Sequence, residues 1–99
     1  MKRGGVVYIM ASNNRNVLYT GVTSDLVARV IQHKEKTYSK SFTARYNCCV
    51  LVYYRGFTSI EEAIVEEKRI KAGSRKAKEQ LIDSMNPHWE DLWGEVRDW

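Results

Sequence analysis

Two short β-rich segments near the start of the chain place the strongest constraint on its fold. Residues 6–11 and 17–22 are mostly apolar and carry β-branched or aromatic side chains, as strands commonly do. The five residues between them are polar and favour a turn. Strands joined by so short a loop are expected to pair as an antiparallel hairpin. Gly21, near the end of the second strand, indicates a bulge or a close backbone approach.

After the hairpin, the spacing of apolar residues changes from that of a strand to that of a helix. Asp25 offers an N-cap for an amphipathic helix over residues 25–36. Residues 37–47 are polar and aromatic and predict a loop. Residues 48–54 are almost continuously apolar, which is typical of a strand buried on both faces.

Two capping signals predict two further helices in the second half of the chain. Ser59 and Glu62 form a capping box that opens a helix, which ends at Gly73. Ser74 caps another helix that runs to about residue 85. Residues 87–93 are aromatic and partly acidic, and we expect an irregular segment that packs back on the rest.

The order β-β-α-β-α-α predicts one α+β domain, a small three-stranded antiparallel sheet flanked by helices. We expect it to take residues 1–99, with its core over about 5–93, because 99 residues leave little room for a second domain. The adjacent Cys48 and Cys49 cannot bridge each other on a strand, which favours a reducing cytoplasm over a disulfide-stapled secreted fold. No apolar run approaches the roughly 20 residues that span a bilayer, and a signal peptide is not expected.

One carboxylate of the helix that starts at Ser59 falls inside the apolar stripe. On a helical wheel Glu67 lies within about 20° of Ile60, whereas Glu66 lies off this face. A carboxylate in that position is costly unless it is paired or bound to a metal. It is either an ion pair with Lys71, four residues on, or a functional group.

Four other polar side chains share this ambiguity. Arg29 and His33 lie four residues apart on one flank of the first helix, where they either aim at one site or form a solvated edge. Tyr8 and Tyr19 lie in the hairpin strands, where tyrosines are most often packing residues.

The net charge of +4 allows an anionic partner. Six basic residues within 68–78 either track a phosphate backbone or form a solvated face. The predicted loop mixes basic and aromatic side chains, which suits single-stranded or distorted nucleic acid as well as an ordinary anchored loop. The residues of these stretches that we assign to nucleic-acid binding are Lys40, Arg45, Lys68, Lys71, Arg75 and Lys76.

The order and spacing of these side chains resemble the GIY-YIG nuclease superfamily, in particular its small single-domain bacterial branch. The residues that carry the resemblance are Val6-Val7-Tyr8, Tyr19-Thr20-Gly21, Arg29, His33, Phe42-Thr43-Ala44-Arg45-Tyr46, Glu67 and Asn86-Pro87-His88-Trp89. The likeness covers about residues 6–93. Val6 replaces the first glycine of the named motif and Thr20 replaces the isoleucine of its second triplet.

The resemblance implies a metal-dependent endonuclease that hydrolyses phosphodiester bonds, in DNA more than in RNA. Its expected specificity is low for sequence or selective for the shape of the substrate. Glu67 would hold a single Mg²⁺ or Mn²⁺, and Arg29 would bind the scissile phosphate. Lys71 would contact phosphate or steady Glu67.

The same resemblance implies roles for the tyrosines and the histidine. Tyr8 would be the general base, and Tyr19 and His33 would position the attacking water or relay its proton. Gly21 would let the backbone approach the site. The base stays open among Tyr8, His33 and a hydroxide on the metal.

Two functions remain open at this point. The first is the nuclease, with an expected place in cytoplasmic DNA repair. The alternative is a catalytically weak or inactive nucleic-acid-binding module that acts with a protein partner. The oligomeric state is open in both cases.

Overall fold

The computed structural model describes residues 4–99, and residues 1–3 of the expected domain lie outside the described residues. It contains three strands and five helices within that range. They are β1 (Gly5–Ala11), β2 (Leu18–Thr23), α1 (Leu26–Glu35), α2 (Phe42–Arg45), β3 (Val50–Phe57), α3 (Ile60–Ala72), α4 (Arg75–Met85) and α5 (Trp93–Val96). The α+β class and the three-stranded antiparallel sheet are confirmed. None of the helices between residues 4 and 99 is long and apolar enough to cross a membrane.

β1 is the central strand, because the sheet order is β2-β1-β3 and both pairings are antiparallel. All seven of its residues are buried, so β1 as well as the first half of β3 is covered on both faces. A register shift lies between Ile9 and Met10 where β1 pairs with β3. No shift occurs at Gly21, so the irregularity of the sheet belongs to the pairing of β1 with β3, where β3 carries the extra residue Val52, and not to β2.

The alternation of side chains along β1 divides the core into two apolar clusters. Tyr8 and Met10 point to the face covered by α1 and α5, together with Leu26 and Val96. The neighbouring residues of β1, including Ile9, point to the face covered by α3 and α4. The sheet is therefore the middle of three layers, and β2 forms one of its edges.

The loop predicted over 37–47 contains a one-turn helix, α2, that the sequence did not predict. The irregular segment predicted over 87–93 is confirmed, and the second one-turn helix, α5, begins at its last residue. α2 begins after Ser41, whose hydroxyl accepts a hydrogen bond from the Ala44 backbone N–H at 3.3 Å. α5 follows the irregular segment and buries Val96. A single turn shows no apolar periodicity and is held by its caps and its tertiary contacts, so sequence spacing does not reveal it.

The long helices begin and end close to the predicted residues. The Ser59 hydroxyl accepts from the Glu62 N–H at 3.2 Å, and the Glu62 carboxylate accepts from the Thr58 and Ser59 hydroxyls rather than from backbone. Gly73 does end α3, but in an extended conformation with φ −79° and ψ 166° instead of a left-handed one. That conformation leads directly into the Ser74 cap of α4.

Thr20 gives a test of the packing between the sheet and α3. It is 5% exposed, and Oγ1 is the buried side-chain polar atom that lacks a hydrogen-bond partner among residues 4–99. Thr20→Val keeps the shape and removes the unpaired hydroxyl, so we expect the free energy of unfolding to rise by about 1 kcal/mol in urea denaturation. Thr43→Val is the matched control, because the buried Thr43 hydroxyl is paired, and it should lower that free energy. Equal losses in both variants would contradict the unpaired state of Thr20.

Candidate active site

The site is built on a hydrogen bond between the central strand and α1. Tyr8, in the middle of β1, is 1% exposed, and its Oη lies 2.8 Å from Nε2 of His33. His33 itself is buried, so the interpretation of this helix flank as a solvated edge is wrong. α1 packs on the sheet with that flank turned inward, which places the imidazole over the phenol.

The other nitrogen of His33 continues the chain of hydrogen bonds. Nδ1 lies 2.9 Å from Oγ1 of Thr43, which lies 3.2 Å from Oγ of Ser41. Sequence reasoning assigned no role to Thr43, since α2 gives no periodic signal. Two signals point to it: Thr43 lies within the segment Phe42–Tyr46 that carries part of the family resemblance, and Ser41, two residues earlier, caps α2.

Burial determines the protonation states of the hydrogen-bonded Tyr8 and His33. Burial, with the nearby Arg29 guanidinium adding to it, lowers the pKa of His33 to about 4, so the imidazole is neutral at pH 7. Burial also raises the pKa of Tyr8. The nearby Tyr19 and Glu67 raise this pKa further, whereas the Arg29 guanidinium lowers it. The phenol therefore stays protonated and donates to Nε2, which leaves the Nδ1–H to donate to Thr43.

Gly21 makes room for this arrangement. It lies opposite Tyr8 in the register of β1 and β2, and a Cβ on Gly21 would lie 2.4 Å from Tyr8 Oη. The close approach expected at Gly21 is thus made by the Tyr8 side chain and not by another backbone segment. Space, rather than a special backbone conformation, excludes larger residues at this position.

Tyr19 links the Tyr8–His33 pair to the surface and to α3. Its ring centroid lies 6.4 Å from that of Tyr8 and 5.6 Å from that of His33. Nζ of Lys71 lies 5.8 Å from the centroid of Tyr19. Lys71 belongs to α3, which covers the other face of the sheet. Side chains from the two helical layers therefore come into contact at the edge strand β2.

The two adjacent glutamates of α3 have the same burial and different partners. Both side chains are 12% exposed, so the helical wheel was wrong to separate Glu66 from Glu67 by burial. Glu66 accepts two hydrogen bonds of 2.7 Å from Arg69. These bonds, together with the positive charges of Arg69 and Arg55, hold the pKa of the Glu66 carboxyl below its usual value. Within residues 4–99, Glu67 forms an ion pair with Lys71 alone, at 2.9 Å. The Glu67–Lys71 ion pair that the sequence offered as one alternative is therefore present, and Glu67 has fewer basic partners than Glu66.

Arg29 lines an open cavity beside these groups. The cavity has a volume of about 280 Å³ and is bounded by α1, β2 and the segment leading through α2, with Tyr19 and His33 in its wall. No carboxylate lies within 4.0 Å of the Arg29 guanidinium in the part of the chain described. An arginine without a carboxylate partner in a cavity is suited to bind an anion.

The basic residues outside this cavity include exposed ones and one that is engaged in hydrogen bonds and an ion pair. Lys40, Lys68 and Lys76 are exposed, and Arg45 is exposed beside Tyr46. Arg75 instead donates to the carbonyls of Arg15 and Asn16 and pairs with Glu79 at 2.9 Å. Its guanidinium thus ties α4 to the turn of the hairpin.

Comparison with known families matches residues 4–80 to the GIY-YIG catalytic domain. The chain belongs to the GIY-YIG family. A UPF0213 protein of Staphylococcus haemolyticus is 38% identical over 77 residues, which cover 78% of this chain and 92% of that protein. A UPF0213 protein of Bacillus velezensis is 33% identical over 91 residues, which cover 92% and 90%.

A solved structure supports the same assignment for the fold. The solution NMR structure of a UPF0213 protein from Bacillus halodurans aligns with a TM-score of 0.56 and 31% identity. The alignment covers 89% of this chain and 92% of that one. The match to the GIY-YIG domain thus extends into α4 in sequence, and the structural likeness extends over most of the chain.

Replacing Gly21 tests the space for Tyr8. Gly21→Ala should displace the phenol from His33 and lower the free energy of unfolding by about 1–3 kcal/mol, measured by urea denaturation, because the added methyl overpacks a buried ring. Gly94→Ala is the control, since an added Cβ meets no atom within 4 Å at that helical position. Equal stability of Gly21→Ala and the parent would contradict the close packing.

The protonation of His33 can be followed by NMR. In a His88→Gln variant the remaining imidazole signal should titrate with a midpoint near pH 4. Since the unfolded histidine takes up its proton near pH 6.5, the unfolded state binds more protons between these values, and the free energy of unfolding should fall as the pH drops from about 6.5 to about 4. A midpoint near 6.5 would show a solvated imidazole.

Proposed function

We propose that this GIY-YIG protein is a divalent-metal-dependent endonuclease that hydrolyses phosphodiester bonds in DNA. One observation carries the proposal: the buried Tyr8–His33 hydrogen bond lies beside an unpaired arginine and within electrostatic range of Glu67. A neutral base, an anion-binding group and a nearby carboxylate are the groups that phosphodiester hydrolysis requires.

The donor atoms near the site fit a hard cation. No group of three or more His, Cys, Asp or Glu residues that could form a metal cage is found within residues 4–99. Both nitrogens of His33 are engaged, so Glu67 is the ligand that the site offers. One carboxylate, with water and substrate phosphate completing the shell, suits Mg²⁺, and Mn²⁺ accepts the same ligands. When bound, the ion supplies positive charge that stabilises the leaving oxygen.

Tyr8 and His33 together provide the base in this proposal. The Tyr8 oxygen takes a proton from the attacking water while the phenolic proton passes to Nε2 of His33. The water oxygen forms a bond to phosphorus, and the bond from phosphorus to the leaving oxygen breaks with its electron pair on that oxygen, which takes a proton from solvent water. His33 then loses its extra proton to solvent. Thr43 accepts from the Nδ1–H throughout, which holds the imidazole in the tautomer that can receive this proton.

Arg29 binds the phosphate and stabilises the additional charge of the transition state. Its guanidinium also favours the ionised form of Tyr8, which assists removal of the phenolic proton. Lys71 pairs with Glu67 and lies against the Tyr19 ring, so it positions the carboxylate at the edge of β2.

Exposed rings beside the cavity indicate the kind of DNA that is cut. Phe42 is 46% exposed, and its centroid lies 6.1 Å from Tyr19 and 4.6 Å from Tyr46. Such a run of rings can stack unpaired bases with little dependence on sequence, which favours single-stranded or distorted substrates. The free cysteines fit the reducing cytoplasm, where we place a role in DNA repair.

The Glu67–Lys71 pair also favours a second candidate function. A carboxylate that already holds a lysine is neutralised without a metal. A protein that binds DNA through its basic and aromatic residues, without cutting it, would leave this pair in place and depend on a partner for activity.

Matched substitutions of the two glutamates separate these functions. Glu67→Gln should lower cleavage of labelled single-stranded, duplex and branched DNA in Mg²⁺ by at least about 100-fold, because the metal ligand is lost. Its free energy of unfolding should change by less than about 1 kcal/mol, since Lys71 is half exposed.

Glu66→Gln is the control on the same helix and at the same burial. It removes the negative charge and one of the two oxygens that accept from Arg69, so it should destabilise the fold more than Glu67→Gln and still cut DNA. Equal cleavage by both variants would contradict the role of Glu67. Salt-sensitive DNA binding without cleavage by the parent would favour the second function.

A further inference from the structure

A second cavity lies at the opposite end of the exposed rings, between the hairpin turn and the end of α2. Its volume is about 370 Å³, within the range of cavities that hold small organic groups. The side chains around it that matter here are Ser12, Asn13 and Asn14 from the turn, and Arg45, Tyr46 and Asn47 from the other side.

Internal hydrogen bonds leave mostly donors facing a ligand in this cavity. The Asn14 Oδ1 accepts from the Ser12 hydroxyl at 2.7 Å and from the Asn16 N–H at 3.0 Å, so its amino group is what the amide can still offer. The Asn47 Oδ1 likewise accepts from the Lys36 ammonium. Arg45 adds a guanidinium, which can only donate. A ligand that fits must present hydrogen-bond acceptors.

The ring of Tyr46 indicates that this ligand is planar as well. Tyr46 is 45% exposed, and the Arg45 guanidinium carbon lies 5.9 Å from its centroid. A flat group can stack on the ring while its edge meets the donors, whereas a phosphate would use the donors and leave the ring bare. A nucleobase has both required properties, because it is planar and carries hydrogen-bond acceptors on its edge.

The position of the cavity connects it to the candidate active site. Tyr19 stacks toward Phe42, and Phe42 toward Tyr46, so these rings form a path from His33 to the second cavity. A strand whose phosphate is held by Arg29 would reach the cavity within a few nucleotides.

We infer that this cavity binds one unpaired nucleobase of the substrate and selects guanine, whose O6 and N7 are adjacent acceptors that match the fork of Arg45. The inference rests on the proposed function for the class of substrate. It adds a site that reads one base at a distance from the cleaved bond, and so a sequence preference within otherwise tolerant binding.

Fluorescence anisotropy in EDTA tests the cavity without requiring cleavage. The probes are a labelled ten-residue oligothymidylate, the same strand with one central guanine, and the same strand with a central abasic nucleotide. All three carry the same phosphates. We expect the guanine probe to bind about 10-fold more tightly than the other two, because a bidentate arginine contact discriminates bases to that order.

Variants assign this preference to the cavity. Arg45→Gln and Tyr46→Ala should each reduce the guanine preference to less than about 2-fold, with circular dichroism confirming that they fold. Lys40→Ala, an exposed lysine outside the cavity, should keep the 10-fold preference even if it weakens all three probes.

Equal affinity for the three probes, or an unchanged preference in both cavity variants, would overturn the inference. The same holds if the parent binds none of the probes. A guanine preference in a protein that never cuts DNA in Mg²⁺ would retain the cavity and reject the nuclease. Cleavage of DNA without any guanine preference would retain the nuclease and reject the base-binding cavity.

Discussion

The hydrogen bond between Tyr8 and His33 is the interaction on which the rest of the site depends. It joins the central strand to α1 inside the core, where burial keeps the phenol protonated and the imidazole neutral. Thr43 then completes the donor–acceptor order and joins the one-turn α2 to α1. A polar chain of this kind is stable in a core only when every member is paired, so the packing of three elements and the protonation of the site are fixed together.

The edge position of β2 explains how groups from both layers come close to one another at the Tyr19 ring. The central strand alternates its side chains between two apolar clusters, which would separate Tyr8 from any residue of α3. The sheet ends at β2, however, and there Lys71 reaches the Tyr19 ring with Glu67 beside it. The missing side chain of Gly21 gives the phenol the room to lie toward this edge. The candidate catalytic groups can therefore lie near one another without a break in either hydrophobic layer.

Much of the fold could be predicted from sequence because its long elements carry caps and regular apolar spacing. The one-turn helices could not, and Thr43 was missed with them, since its role depends on a contact with His33 that no local pattern encodes. The wheel found Glu67 but misjudged Glu66, because the partners of a carboxylate and not its angle decide what it does. The motif resemblance brought distant residues together that periodicity alone could not relate.

The central claim is that the Tyr8 hydroxyl, bonded to His33, takes part in cutting DNA. The most direct measurement compares the rates of single-turnover cleavage by the parent, Tyr8→Phe and Tyr54→Phe in Mg²⁺. Tyr54 packs against the same cluster, and its hydroxyl donates to Glu95 instead. Removing the Tyr8 hydroxyl alone should lower the rate by about 100-fold or more, with Tyr54→Phe cutting at the parental rate. Cleavage by Tyr8→Phe at the parental rate would contradict the claim.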